Sequence, residues 1–315
     1  MIGVPIAAAR RSLAAIAFVV YAAVVHGVAH AALPVVATTA DLASLAAAVG
    51  SDLVSVEAIV PGAADPEAFE PRPGDFEKVR RAALVVRVGL GYDYWLDRIL
   101  RQVGDARFAR GGSGYVDASA GVPLLEIRGE AVVNESGHAH GVANPHYWLD
   151  PDNAVIITAA IAEALVRQLP AERARITNNR DRFLRELRER RERWQNELAP
   201  FAGTKLVAYH NSWPYFARRF RLDITTFIEP KAGISPSPGH LRKLITDARA
   251  ANVRAVLHEP YEPEDAVRFV ARELDVPVVT LAVSVGALPG TADYLSLFEA
   301  NVASLSKALK STRRP

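Results

Sequence analysis

The 315-residue chain contains no cysteine. It can therefore form no disulfide, offer no thiolate to a metal ion and carry no lipid on an N-terminal cysteine. It also lacks an excess of either charge: 37 lysines and arginines stand against 35 acids, a formal net charge of +2. A nucleic-acid binder would show a clustered cationic surplus. The one dense run of arginines, RELRERRER over 185–193, is interleaved with glutamates and reads as a solvated helix face rather than a recognition helix. No H-E-x-x-H helix or other compact catalytic signature is present, which speaks against a secreted metallohydrolase. Beyond residue 28 there is also no apolar run long enough to span a bilayer.

The start of the chain differs from the rest. Arg10 and Arg11 precede an uncharged apolar run over 13–28, which ends in the small-residue pattern Ala29-His30-Ala31. This is the pattern of a secretory signal peptide cleaved after Ala31, and a retained membrane anchor is the competing reading. Arg10 and Arg11 are the only charged side chains in 1–31, so the remaining chain carries 35 basic and 35 acidic groups. A soluble, exported, near-neutral protein without a lipid tether is expected in the periplasm of a two-membrane bacterium.

The remaining ~280 residues suffice for two domains of ordinary size. Short β-rich runs alternate with helical stretches at 34–39, 54–60, 84–88 and 114–118, and again at 205–209, 223–228, 253–258 and 276–281. Runs such as AALVVRV and VRAVLH are nearly continuous in apolar residues, as parallel strands covered on both faces require. The expected fold is α/β, with two lobes that are each a mostly parallel sheet flanked by helices. A long rigid helix joins them. The expected boundaries are a signal peptide over 1–31, an N-terminal lobe over 32–169, the connecting helix over 170–199 and a C-terminal lobe over 200–315. Within the connector, Ile176, Phe183, Leu187, Trp194 and Leu198 recur at spacings of seven and four, while Arg185 with Glu189 and Glu189 with Arg193 pair on other faces.

Three segments place possible metal ligands at strand ends: ADPEAFEPRPGD with Glu67, NPHYWLDP with His146 and AYHNSWPYF with His210. In open α/β sheets the residues that converge on a ligand lie beyond the carboxyl ends of the strands. Each alone has an ordinary explanation, since a histidine can simply bond a turn and an acid in a proline-rich loop is usually exposed. Asp150-Pro151 and Ser212 with Pro214 read as helix starts beside the two histidines. Two imidazoles and a carboxylate suit zinc or a neighbouring divalent ion. Glu259 in LHEPY is a possible fourth donor, and Glu229 in IEPKAG shares its ambiguity.

Taken together, these segments resemble the periplasmic solute-binding proteins of zinc and manganese ABC importers, over essentially the whole chain after residue 31. ADPEAFEPRPGD is similar to the family's D-P-H-x-x-E-P-x-P-x-D, NPHYWLDP and KLVAYHNSWPYF to its second and third histidine motifs, and DYLSLFEANVASLSKAL to its terminal helix. The resemblance implies two α/β lobes with metal between them, no catalysis, a membrane permease as partner and a monomer. It places His146 and His210 on ligand positions, and Glu67 where the family usually has histidine. That exchange makes the site harder and more anionic, moving preference from zinc toward manganese or iron. The family's fourth ligand, commonly an aspartate after the last strand, should fall within 281–284, where no acid occurs, so water or Glu259 would complete the site. His138 and His140 resemble a shortened form of the metal-collecting loop of zinc-binding members. Zinc is the expected ion and manganese the alternative. A secreted metal-dependent hydrolase, or a module whose site has decayed, are the competing readings.

Overall fold

The computed structural model describes residues 31–127 and 143–311. The expected signal peptide up to residue 30 and the loop with His138 and His140 lie outside them. The first sheet contains β1 (Leu33–Thr39), β2 (Val54–Val60), β3 (Leu84–Arg87) and β4 (Tyr115–Asp117), interleaved with helices α1 (Ala40–Gly50), α2 (Pro73–Arg81) and α3 (Trp95–Val103). Helices α4 (Asn153–Gln168) and α5 (Arg173–Leu198) follow. The second sheet contains β5 (Lys205–Ala208), β6 (Asp223–Phe227), β7 (Val256–His258) and β8 (Val278–Thr280), with α6 (Pro214–Phe220), α7 (Pro238–Ala250), α8 (Glu264–Leu274) and the final α9 (Tyr294–Ser311).

Both sheets are wholly parallel and share one topology, β2-β1-β3-β4 and β6-β5-β7-β8. The strands are shorter than the apolar runs suggested. In the β7 run, Val253 closes a turn onto Ala248 instead of joining the sheet. Alternate strand residues feed different cores. Val35, Ala37, Leu206 and Ala208 enter one continuous core shared by both lobes, whereas Val36 and Val207 face separate outer cores under α2–α3 and α7–α8. Among the described residues, no helix is long and apolar enough to cross a membrane.

Helix α5 ties the lobes together. Its buried residues are Ile176, Phe183, Leu187, Trp194 and Leu198, the same five that the spacing picks out. They pack on α1 and α4 from the first lobe and on α9 from the second. Trp194 stacks on Phe298 of α9 at 5.2 Å and donates its indole N–H to Glu299. The ion pairs differ from the expected ones. Arg190 pairs with Glu186 one turn earlier on the same helix at 2.6 Å, and Arg191 with Asp152 at 2.5 Å, a partner just ahead of α4 that the helix pattern alone does not reveal.

The two expected helix starts differ. Asp150 Oδ1 accepts the Asp152 N–H at 3.0 Å just ahead of α4, as a capping side chain does. Asp150, fully buried, also accepts two bonds from Arg219 at 2.7 and 3.0 Å and one from Arg218 at 3.2 Å, joining the approach to α4 with α6. Helix α6 does begin at Pro214, but Ser212 does not cap it. If α5 welds the lobes through its apolar stripe, Trp194→Ala should cost about 3–5 kcal/mol in urea unfolding, and a loss below about 1 kcal/mol would contradict that role.

Candidate metal centre

Three loops at carboxyl strand ends deliver the site. The loop after β2 carries Glu67. Its backbone is set by an Asx turn, in which Glu67 N donates to Asp65 Oδ1 at 2.8 Å, and by Trp95 Nε1, which donates to Pro66 O at 3.1 Å. His146 enters a short 3₁₀ turn, Tyr147–Leu149, and is 1% exposed. Its ring lies between Tyr92 and Trp148, with centroids 5.3 Å from each. His210 lies two residues beyond the end of β5 and is 8% exposed.

Each imidazole is oriented through Nδ1. The Asn144 amide donates from Nδ2 to Asn211 O at 2.9 Å, so its Oδ1 is the acceptor facing His146. That oxygen takes the His146 backbone N–H at 3.0 Å and lies 3.2 Å from Nδ1, which places the ring proton on Nδ1. His210 Nδ1 lies 2.5 Å from Glu229 Oε2, while Glu229 Oε1 accepts Gly233 N at 2.5 Å. Both rings therefore turn Nε2 toward Glu67, and both Nε2 atoms stand 3.6 Å from Glu67 Oε1. Bonds of about 2.0–2.2 Å in a tetrahedral site put ligand atoms roughly 3.4 Å apart, so the three donors are spaced for a single ion. Among the described residues, Glu67, His146 and His210 form the only group of three such donors within 4.8 Å of one another.

Glu259 is not part of that group. It is buried on the loop after β7, and its Oε1 accepts Trp213 Nε1 at 2.6 Å. Burial pushes its carboxyl up to about 7, against the pull of His210 and the Trp213 indole. Glu229, ambiguous in the sequence, stands behind His210 rather than beside Glu67. Glu262 was missed by sequence reading. Its carboxyl is pushed up to about 8 by burial and then by the charge of Glu259, with His210 opposing. The repeated acid-proline pattern HEPYEPED at a strand end was the available signal. The segment 281–284 gives the site no acid. Asn301 binds both backbone groups of Ala282, and Ser284 donates to Asp41.

The surroundings are strongly anionic. Burial alone would lower the His210 pKa, but the bonds and charges of Glu229 and Glu67 override it and hold the ring well above its ordinary 6.5. The imidazolium proton thus supplies the positive charge that the carboxylates demand. A divalent ion would supply more.

The chain is similar to known proteins over nearly its whole described length. The family model for ZnuA, the zinc-uptake complex component A periplasmic, matches residues 35–308. The high-affinity zinc uptake system protein ZnuA of Yersinia pestis is 26% identical over 267 residues, covering 80% of this chain and 83% of that protein. A zinc-bound deletion mutant of ZnuA superposes with a TM-score of 0.75 at 26% identity, over 90% of this chain and 100% of the other. The SBP FpvC from Pseudomonas aeruginosa, in complex with Mn2+, gives 0.72 at 26% identity, over 89% and 99%. The family match spans both sheets, α5 and all three converging side chains, and the chain belongs to the ZnuA family.

Proposed function

We propose that this chain is the substrate-binding protein of an ABC importer. It takes a divalent transition ion, zinc first and manganese as the alternative, from the extracytoplasmic space and presents it to a membrane permease. The observation that carries this reading is the pair of imidazole Nε2 atoms, each 3.6 Å from one carboxylate oxygen and each oriented from behind by a polar partner. Membership of the ZnuA family supports transport over hydrolysis. The oriented rings also speak against a decayed site, because nothing else in the cleft needs two imidazoles aimed at one carboxylate. In this reading 1–31 is a cleaved signal peptide, the compartment is the periplasm and the protein acts as a monomer. The working parts are the lobes 32–169 and 200–315 and the connector 170–199.

The incoming ion replaces the His210 proton and is held by Glu67, His146 and His210. Water, the second Glu67 oxygen or a reoriented Glu259 completes its shell. No bond is made or broken in the protein, and release to the permease reverses the exchange. The N2O donor set accepts zinc, and the carboxylate at 67 makes it more hospitable to manganese than three imidazoles would be.

His146→Ala and His210→Ala should each weaken zinc binding at least tenfold by titration calorimetry, with the fold retained; unchanged affinity in both variants would remove the metal reading. Because the metal-free His210 holds its proton above the ordinary range, binding near neutral pH should release about one proton. Calorimetry in buffers of different ionisation enthalpy reads that number directly. Apparent affinity should fall roughly tenfold per pH unit on acidification. A pH-independent affinity between 5.5 and 7.5 would mean that His210 is not a ligand. Glu67→His should widen the preference for zinc over manganese, and a preference that stays put or narrows would dissociate Glu67 from selectivity.

A further inference from the structure

The loop after β8 does not contribute a ligand, yet residues 283–285 make several contacts with the first lobe. Ser284 Oγ donates to Asp41 Oδ2 at 2.5 Å and Val285 N donates to Asp41 Oδ1 at 3.0 Å. Asp41 is fully buried in the first turn of α1, in the opposite lobe, where the helix N-terminus favours a carboxylate. One residue earlier, Val283 O accepts Trp148 Nε1 at 2.9 Å. On the other side the loop presses on Gly62, where an added Cβ would lie 1.8 Å from Val285 O.

These contacts reach both metal-bearing loops of the first lobe. Trp148 is two residues from His146 and its ring centroid lies 5.3 Å from the imidazole. Gly62 opens the loop that carries Glu67. Residues 283–285 therefore brace, from the second lobe, the segments that hold two of the three donors. We propose that Asp41, Ser284 and Gly62 form an interlobe clasp: they are positioning residues that fix the width of the cleft and so govern how fast the ion leaves, without touching it. Two hydrogen bonds to one buried carboxylate make the contact directional, and the absent side chain at 62 lets the backbones meet. The inference about ion release rests on the transport reading above, whereas the clasp as a lobe contact does not.

The test uses the full mature chain and the variants Asp41→Ala, Ser284→Ala and Gly62→Ala. Small-angle scattering of the metal-free protein reads lobe separation, and stopped-flow transfer of zinc to a fluorescent chelator reads release. The clasp predicts a larger radius of gyration in Asp41→Ala and Gly62→Ala. It also predicts zinc release about tenfold faster at unchanged one-to-one stoichiometry, the effect expected from losing a charged hydrogen bond. Ser284→Ala, which keeps the Val285 bond, should fall between them and the parent chain. If Asp41→Ala fails to fold, the other two variants decide the question. Scattering profiles identical to the parent in every folded variant overturn the clasp. Wider lobes with unchanged release rates overturn its control of the ion, and a parent chain that binds neither zinc nor manganese overturns the transport reading while scattering still judges the clasp.

Discussion

Two imidazoles and one carboxylate, delivered by loops from two separate parallel sheets, must meet within one ion's coordination distance, and the rest of the molecule holds them there. Glu67 and His146 come from the first lobe and His210 from the second, so their geometry depends on how the lobes are joined. A flexible linker would leave that geometry undefined. Here a single apolar core runs through both lobes beneath α5, with Trp194, Phe298, Trp148 and Phe216 among its largest members. Close-packed cores of this kind resist gradual deformation. The site is therefore preorganised, and opening it requires breaking named contacts.

Burying so many acids carries an electrostatic cost, which the design answers with hydrogen bonds and with positive charge. Glu229 is bonded to His210 and the Gly233 amide, and Glu259 to the Trp213 indole. Burial raises Glu259 to about 7, and burial followed by the charge of Glu259 raises Glu262 to about 8, so these acids hold their negative charge at a cost that a nearby cation would lower. A proton on His210 is a partial remedy, and a divalent ion is a fuller one. The same imbalance that costs the metal-free protein drives capture.

How much of this was legible beforehand follows from the range of each interaction. The two-sheet fold was readable because buried parallel strands write a continuous apolar run, and α5 because its stripe repeats every seven and four residues. Glu67, His146 and His210 were readable as candidates because turn chemistry placed each at a strand end. Their convergence, which the structure bears out, was expected from the rule that ligands gather beyond carboxyl strand ends and from the family resemblance, because strand order itself is invisible in local pattern. Asp150 was legible only in part: its carboxylate does take the Asp152 N–H, as a cap should, but it also binds Arg218 and Arg219, nearly seventy residues away, which no local pattern announces, and Ser212 caps nothing. The bond between Ser284 and Asp41 joins residues 243 apart and leaves no local signature at all. The lack of the expected acid within 281–284 was visible, but what Ser284 does instead required the opposite lobe.

X-ray absorption at the metal edge of the zinc-loaded protein addresses the central claim most directly, because it counts ligands by type. The account predicts the multiple-scattering pattern of two imidazoles with the remaining shell made of oxygen. Three or more imidazoles, or none, would contradict it.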